Sequence, residues 1–166
     1  MSKTLVMIRH AHRDTSRREA DDGLDEKGVE QAKSLRRFFQ ARFNPDDLSR
    51  GLWLVSSPKI RCQETLAPIA KLMDRPIDTH PGLDEQIGRE PAPAFLARIE
   101  GFLAEWRQSK VETTVLCSHG DWLPAASLKL LGLGLEMKKG SWLELEWENG
   151  SARLKWYIPG FKPFYS

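Results

Sequence analysis

A chain of 166 residues can bury a core without disulfide or metal staples, and its length fits one domain over 1–166. With 40% hydrophobic and 29% charged residues and a net charge of +2, it reads as a globular protein with no bias towards nucleic acid or a membrane surface. Cys62 and Cys117 form no CxxC pattern, no apolar run approaches membrane-spanning length, and the first strand is too short for a signal-peptide core, so a reducing, cytoplasmic location without a structural metal is expected.

Residues 4–8, Thr-Leu-Val-Met-Ile, suit a strand buried on both faces of a covered parallel sheet. The run stops at Arg9, His10, Ala11, His12 and Arg13. In open α/β sheets ligands bind beyond the carboxyl ends of strands, so this exit is a candidate site. Residues 14–23 are rich in Arg, Glu and Asp and read as a solvated loop, Arg17 and Arg18 included. A helix follows, with Val29, Ala32, Leu35, Phe38, Phe39 and Phe43 as its apolar stripe and Asn44-Pro45-Asp46-Asp47 at its end.

Residues 51–55 are a second apolar strand, stopping at Ser56, Ser57 and Pro58. Serine before proline fits an N-cap and a first helical position. That helix carries Lys59 and Arg61 in its first turns and runs on through Ile60, Leu66, Ile69 and Leu72, with Pro68 expected to kink it. An extended link over 75–81 and a loop over 82–86 lead to a third helix striped by Phe95, Leu96, Ile99, Phe102, Leu103 and Trp106. Residues 113–117 form a third buried strand, ending in Ser118-His119-Gly120, with Asp121 as N-cap of a helix to about Leu131. Residues 142–147 alternate apolar and polar, Asn149-Gly150 is a hairpin turn, and 152–158 pair back, with one wet face at the sheet edge.

Strand–helix alternation implies right-handed crossovers, so the three strand ends share one edge. Arg9, Arg61, His10, His119 and two helix N-termini then converge, a combination suited to a phosphoryl group. The sequence Arg9-His10-Ala11, Ser56-Ser57-Pro58 with Arg61 and Thr65, Glu85 after Leu83, and Ser118-His119-Gly120 resemble the histidine phosphatase superfamily, the phosphoglycerate-mutase-like fold. Leu24-x-x-x-Gly28-x-x-Gln31-Ala32 is similar to its first-helix signature. Many members carry glycine and glutamate after the nucleophile, where Ala11 and His12 stand here.

The resemblance implies a three-layer α/β/α sandwich with a mainly parallel sheet and a C-terminal antiparallel hairpin. It implies hydrolysis of a phosphate monoester or phosphoramidate through a phosphohistidine on His10, with no metal and no cofactor. Arg9, Arg61 and His119 would bind the phosphoryl oxygens, and Glu85, or Asp84 beside it, would protonate the leaving oxygen. Arg13, Ser57 and Trp122 would line the substrate pocket. The short segment between Arg61 and Glu85 resembles the small SixA-like branch, which acts on phosphohistidine of proteins. A small phosphorylated metabolite is the other substrate reading, and a non-catalytic phospho-ligand binder is the reading from a different class. His10 and His12 alternate, but only His80 remains as a further histidine, so no HxH metal site is expected.

Overall fold

The computed structural model describes residues 2–48 and 51–161; the remainder of the expected 1–166 domain lies outside the described residues. In chain order the elements are β1 (Lys3–Arg9), α1 (Glu26–Arg42), α2 (Pro45–Leu48), β2 (Leu52–Ser56), α3 (Ile60–Met73) and β3 (Asp78–Thr79). A 3-10 turn (Pro81–Leu83), α4 (Ala92–Gln108), β4 (Thr113–Ser118), α5 (Trp122–Leu131), β5 (Trp142–Glu148) and β6 (Ser151–Ile158) complete the set. The strands form one six-stranded sheet in the order β3-β2-β4-β1-β5-β6. Pairing is parallel from β3 to β1 and antiparallel from β1 through β5 to β6.

Alternation along the buried strands sends side chains to two cores. Leu5, Met7, Val55 and Leu116 pack with Phe95, Ile99, Phe102 and Trp106 of α4 and with Leu123 of α5. Val6, Ile8, Leu54 and Val115 pack with Leu35 and Phe39 of α1 and with Leu66 and Ile69 of α3. Period-two alternation between two helix layers is what makes these strands apolar throughout, and the result is a three-layer α/β/α sandwich. Arg9 is level with Ser118 across β1–β4, and Ser56 is level with Cys117 across β2–β4. The register therefore delivers three polar exits to one edge.

Several details differ from the sequence expectation. Val29 and Leu96, which fall on the apolar stripes read from the sequence, are each 42% exposed, and Ile60 at the start of α3 is 44% exposed. In α1 the inward positions are Gly28, Gln31, Ala32, Ser34, Leu35 and Phe39, and Val29, one residue on from Gly28, is rotated away by the helical repeat. The α2 turn was not foreseen. Ser57 does not cap α3, whose N-cap is Lys59 without a side-chain bond, whereas Asp121 is the N-cap of α5 as expected, though its side chain makes no capping bond.

The hairpin joins at Asn149-Gly150 as expected, but β6 alone is the edge, and β5 lies between β1 and β6. Glu144 on β5 is therefore buried, 1% exposed, and accepts from Arg42 Nη2 at 2.6 Å and Nε at 3.2 Å. Removing one partner of a buried pair leaves the other's desolvation uncompensated. Arg42→Met is expected to cost about 2–3 kcal/mol in urea denaturation, with most of it recovered in Arg42→Met/Glu144→Leu. A single variant as stable as the parent would show that the pair does not hold the sheet to α1.

Candidate active site

The three strand exits are tied together by backbone bonds that continue the ladder past the strands. His10 N donates to Ser118 O at 3.0 Å, and Ser57 N donates to Cys117 O at 3.0 Å. The turn after His10 is then held from α3 and α1. Ala11 N donates to Thr65 Oγ1 at 2.9 Å, and that hydroxyl donates to Arg61 O at 2.6 Å. His12 N donates to Gln31 Oε1 at 2.8 Å. A Cβ on Gly28 would stand 1.9 Å from His12 O, so only glycine lets α1 approach this turn. Asp25 caps α1 through Gly28 N at 2.8 Å while its other oxygen accepts from His12 Nδ1.

His10 is 4% exposed. Its Nδ1 lies 2.8 Å from the carbonyl of Ala11, which can only accept, so Nδ1 carries the proton and Nε2 keeps its lone pair. Burial, and after it the charges of Arg61, Arg9 and Lys139, push the His10 imidazole down to about 3 against an opposing pull from Ala11 O. Burial thus outweighs the neighbouring cations as the cause of neutrality.

His119, 2% exposed, has its ring centroid 5.4 Å from that of His10. Its Nε2 lies 2.8 Å from Ser57 Oγ, and its Nδ1 faces Arg61 Nη2 at 3.4 Å. A guanidinium only donates, so Nδ1 is the acceptor and Nε2–H points to Ser57. Burial, then His10, Arg61, Lys59 and Arg9, push His119 down to about 2.

Arg9 donates to Met137 O at 2.7 Å, and a Cβ on Gly120 would stand 2.7 Å from its Cζ, so the guanidinium lies directly over the Gly120 backbone. Arg61 is 5% exposed, donates to Glu85 Oε1 at 2.9 Å and lies 3.6 Å from Asp21. The buried Nε of Arg9 and of Arg61 meets no acceptor. Glu85 is held by its backbone. Arg98 of α4 donates to the carbonyls of Pro81, Gly82, Asp84 and Glu85 at 3.0–3.3 Å, and its other partner is Glu90. Ser118 Oγ and Trp122 Nε1 add bonds to Leu83 O and Gly82 O at 2.6 and 2.7 Å.

These groups enclose a cavity of about 520 Å³ whose wall includes Arg9, His10, Arg61, Glu85, His119 and Lys139. A family model described as histidine phosphatase superfamily (branch 1) matches residues 5–89. The chain belongs to the histidine phosphatase superfamily. It is accordingly an enzyme of the hydrolase type.

Solved structures share the fold at low identity. One is a candidate α-ribazole-5′-P phosphatase from Escherichia coli, TM-score 0.81 and 17% identical, covering 96% of this chain and 98% of that one. Mycobacterial glucosyl-3-phosphoglycerate phosphatase has a TM-score of 0.73 at 21% identity, covering 92% and 97%. Phosphoserine phosphatase from Entamoeba histolytica has a TM-score of 0.71 at 16% identity, covering 94% and 96%. No curated protein matches the sequence significantly.

In this histidine phosphatase the residues singled out from sequence divide into four groups. Arg9, His10, Arg61, Glu85, His119 and Arg13 share the cavity wall. Asp84 does not; it is 7% exposed, with Oδ1 accepting from Glu85 N at 2.9 Å and Oδ2 3.8 Å from Lys59. Ser57 and Trp122, expected to touch substrate, are both 0% exposed. Ser57 reaches the site only through His119, and Trp122 is a core ring behind it, against Phe102 at 5.8 Å. His12 turns to Asp25, and no group of three candidate metal ligands occurs among the described residues.

The sequence reading missed Arg98, Lys139 and Arg18. Arg98 reads as a solvated helix residue, and its role exists only because the 81–85 turn packs on α4. Arg18, assigned to solvent, lines the cavity because the 14–23 loop folds back through Asp14 N to Gly23 O and Ile60 N to Asp21.

Both buried histidines are neutral in the fold and regain the ordinary value of 6.5 when unfolded. Below pH 6.5 the unfolded chain binds more protons, so their contribution is whole above that pH and is lost as pH falls towards about 3. Each histidine contributes a slope of at most about 1.4 kcal/mol per pH unit. Urea melts between about pH 7 and pH 5, above the main carboxylate range, should show this loss, and it should be shallower in His10→Asn. A parent profile flat over that interval would contradict the burial of neutral imidazoles.

Proposed function

We propose that the protein is a phosphatase that hydrolyses phosphate monoesters through a phosphohistidine on His10. The observation that carries this reading is the tautomer: Nδ1–H is spent on Ala11 O, which leaves the Nε2 lone pair for phosphorus among Arg9, Arg61 and His119. The six strands form one sheet, which supports treating 1–166 as a single functional unit.

In the first half-reaction Nε2 forms a bond to phosphorus and the bond to the leaving oxygen breaks. Arg9 and Arg61, on the cavity wall with His10, offer guanidinium donors to the phosphoryl oxygens, where charge develops. His119 Nδ1 sits beside the same guanidinium, and a bound dianion offsets the cost of protonating it, making it a further donor. Glu85 is engaged by Arg61 without ligand. A phosphoryl dianion takes over that guanidinium, and its negative charge favours a proton on the released carboxyl, which then passes to the leaving oxygen. In the second half-reaction Glu85 takes a proton from water, the water oxygen attacks phosphorus, and the bond to Nε2 breaks.

The names of the structural neighbours, phosphatases of phosphoserine, glucosyl-3-phosphoglycerate and α-ribazole-5′-P, support a small phosphorylated substrate. The second reading, phosphohistidine on a protein as in the SixA-like branch, is supported by the 74–91 connection, which carries only β3 and the 3-10 turn between α3 and α4.

Rapid-quench single turnover with an alkyl phosphate tests the scheme. The parent should carry an acid-labile phosphoryl group on His10, and His10→Ala should neither label nor turn over. Glu85→Gln should lose about 10²–10⁴-fold in kcat with an alkyl leaving group and far less with p-nitrophenolate, which leaves unprotonated. Parental turnover in His10→Ala would remove the nucleophile. Stoichiometric binding without phosphate release by the parent would make the domain a phospho-ligand binder.

A further inference from the structure

Beside the proposed catalytic cavity lies a second one of about 560 Å³ that shares Arg9 and Lys139 with it. Its wall adds Lys27 from the first turn of α1, Lys138 from the α5–β5 connection, and an apolar side from Pro159 and Phe161. Four cations border it, and among the described residues no carboxylate does, whereas the catalytic cavity contains Glu85 and Asp121. Asp25 acts on Lys139, and Asp121 and Glu136 act on Arg9, but none of the three carboxylates stands on this wall, and Asp25 is hydrogen-bonded to Gly28 N and to His12.

The lysines are set in place by backbone. Gly140 N donates to Arg9 O and His10 O at 3.2 Å, Arg9 N donates to Ser141 O at 3.3 Å, and Ser141 N closes a turn on Lys138 O at 3.0 Å. Met137 O holds the Arg9 guanidinium from the same segment. The 137–141 segment is thus bound to the end of β1, which fixes Lys138 and Lys139 relative to His10. On the other side Phe161 packs on Phe38 of α1 at 5.5 Å. Cations gathered over one concave surface whose wall carries no carboxylate among the described residues select an anion.

We propose that this second cavity receives a further anionic group, a phosphate or carboxylate, carried on the leaving group of the phosphomonoester. The inference rests on the hydrolase reading of His10 and narrows its substrate class to small esters whose leaving group carries a second anion. A monoester extends from phosphorus only through its leaving oxygen. Glu85 and Lys139 stand on the wall of one cavity, and Lys139 with Lys138 and Lys27 on the wall of the next; in the proposal a leaving group protonated at Glu85 crosses the first and presents its far end to the lysines.

The test compares straight-chain alkanediol bisphosphates with the monophosphates of the same diols, which share a leaving-group skeleton and differ in the second anion. For at least one chain length the parent should favour the bisphosphate in kcat/KM by about tenfold or more, the worth of a charge-assisted contact. Lys27→Ala/Lys138→Ala should reduce that preference to the statistical factor of two equivalent ends. Both lysines are exposed, and unchanged thermal melts would confirm the variant's fold. A parent without the preference, or a double variant that keeps it, overturns the subsite. Equal losses on both esters and on a phosphohistidine protein would make the lysines a general docking surface and overturn it too. Failure of the parent on every ester, with no phosphohistidine formed, would instead refute the hydrolase reading.

Discussion

The site depends on one buried hydrogen bond, from His10 Nδ1–H to the carbonyl of Ala11. It fixes the ring's rotation and its tautomer, while burial, working against that bond, keeps the ring uncharged. A histidine at the mouth of a sheet would ordinarily titrate near neutrality and turn freely. Here the side chain is nearly sealed, so the imidazolium is disfavoured by desolvation before any neighbouring charge acts. The carbonyl that receives Nδ1 belongs to the next residue, whose own N–H is held by Thr65. The nucleophile is therefore set by backbone geometry, and that geometry is set by α3 and α1.

Around this ring the fold accumulates positive charge that it neutralises only in part. Arg9 and Arg61 push against each other and against both histidines. The acids present are placed differently: Glu85 and Asp21 approach Arg61 from the open side, whereas Asp84 is folded inward towards Lys59 and His119. Burying cations without full compensation destabilises the unliganded protein, and an anion entering the cavity recovers part of that cost. The Glu85–Arg61 pair gives the carboxylate a resting partner that a phosphoryl group displaces. Arg98 keeps the exchange local by gripping the carbonyls of the turn that carries Glu85.

The fold and the centre of the site were legible in the sequence for definite reasons. Three apolar runs each break at Arg-His, Ser-Ser or Ser-His, and parallel pairing sets Arg9 level with Ser118 and Ser56 level with Cys117, so the breaks fall at one edge. What was illegible depends on packing between distant segments. The 3.6-residue pattern of α1 cannot show that Gly28 faces inward until the His12 carbonyl is known to lie against it. The alternation of β5 suggested a wet face, because nothing local shows that Arg42 returns to cover Glu144. Trp122 follows the His119 turn in sequence, yet helix direction sends its ring into the core. Lys139 and Arg98 join the site from segments that look like surface.

The central claim is that His10 is held neutral with its Nε2 lone pair free. Nitrogen NMR of the imidazoles in ¹⁵N-histidine-labelled protein at about pH 5.5, a pH at which an ordinary histidine is mostly protonated, tests it directly. The account predicts that the His10 signals, assigned by comparison with His10→Asn, are those of the neutral Nδ1–H form, with a pyridine-like Nε2. An imidazolium spectrum, or the neutral form with the proton on Nε2, would contradict it.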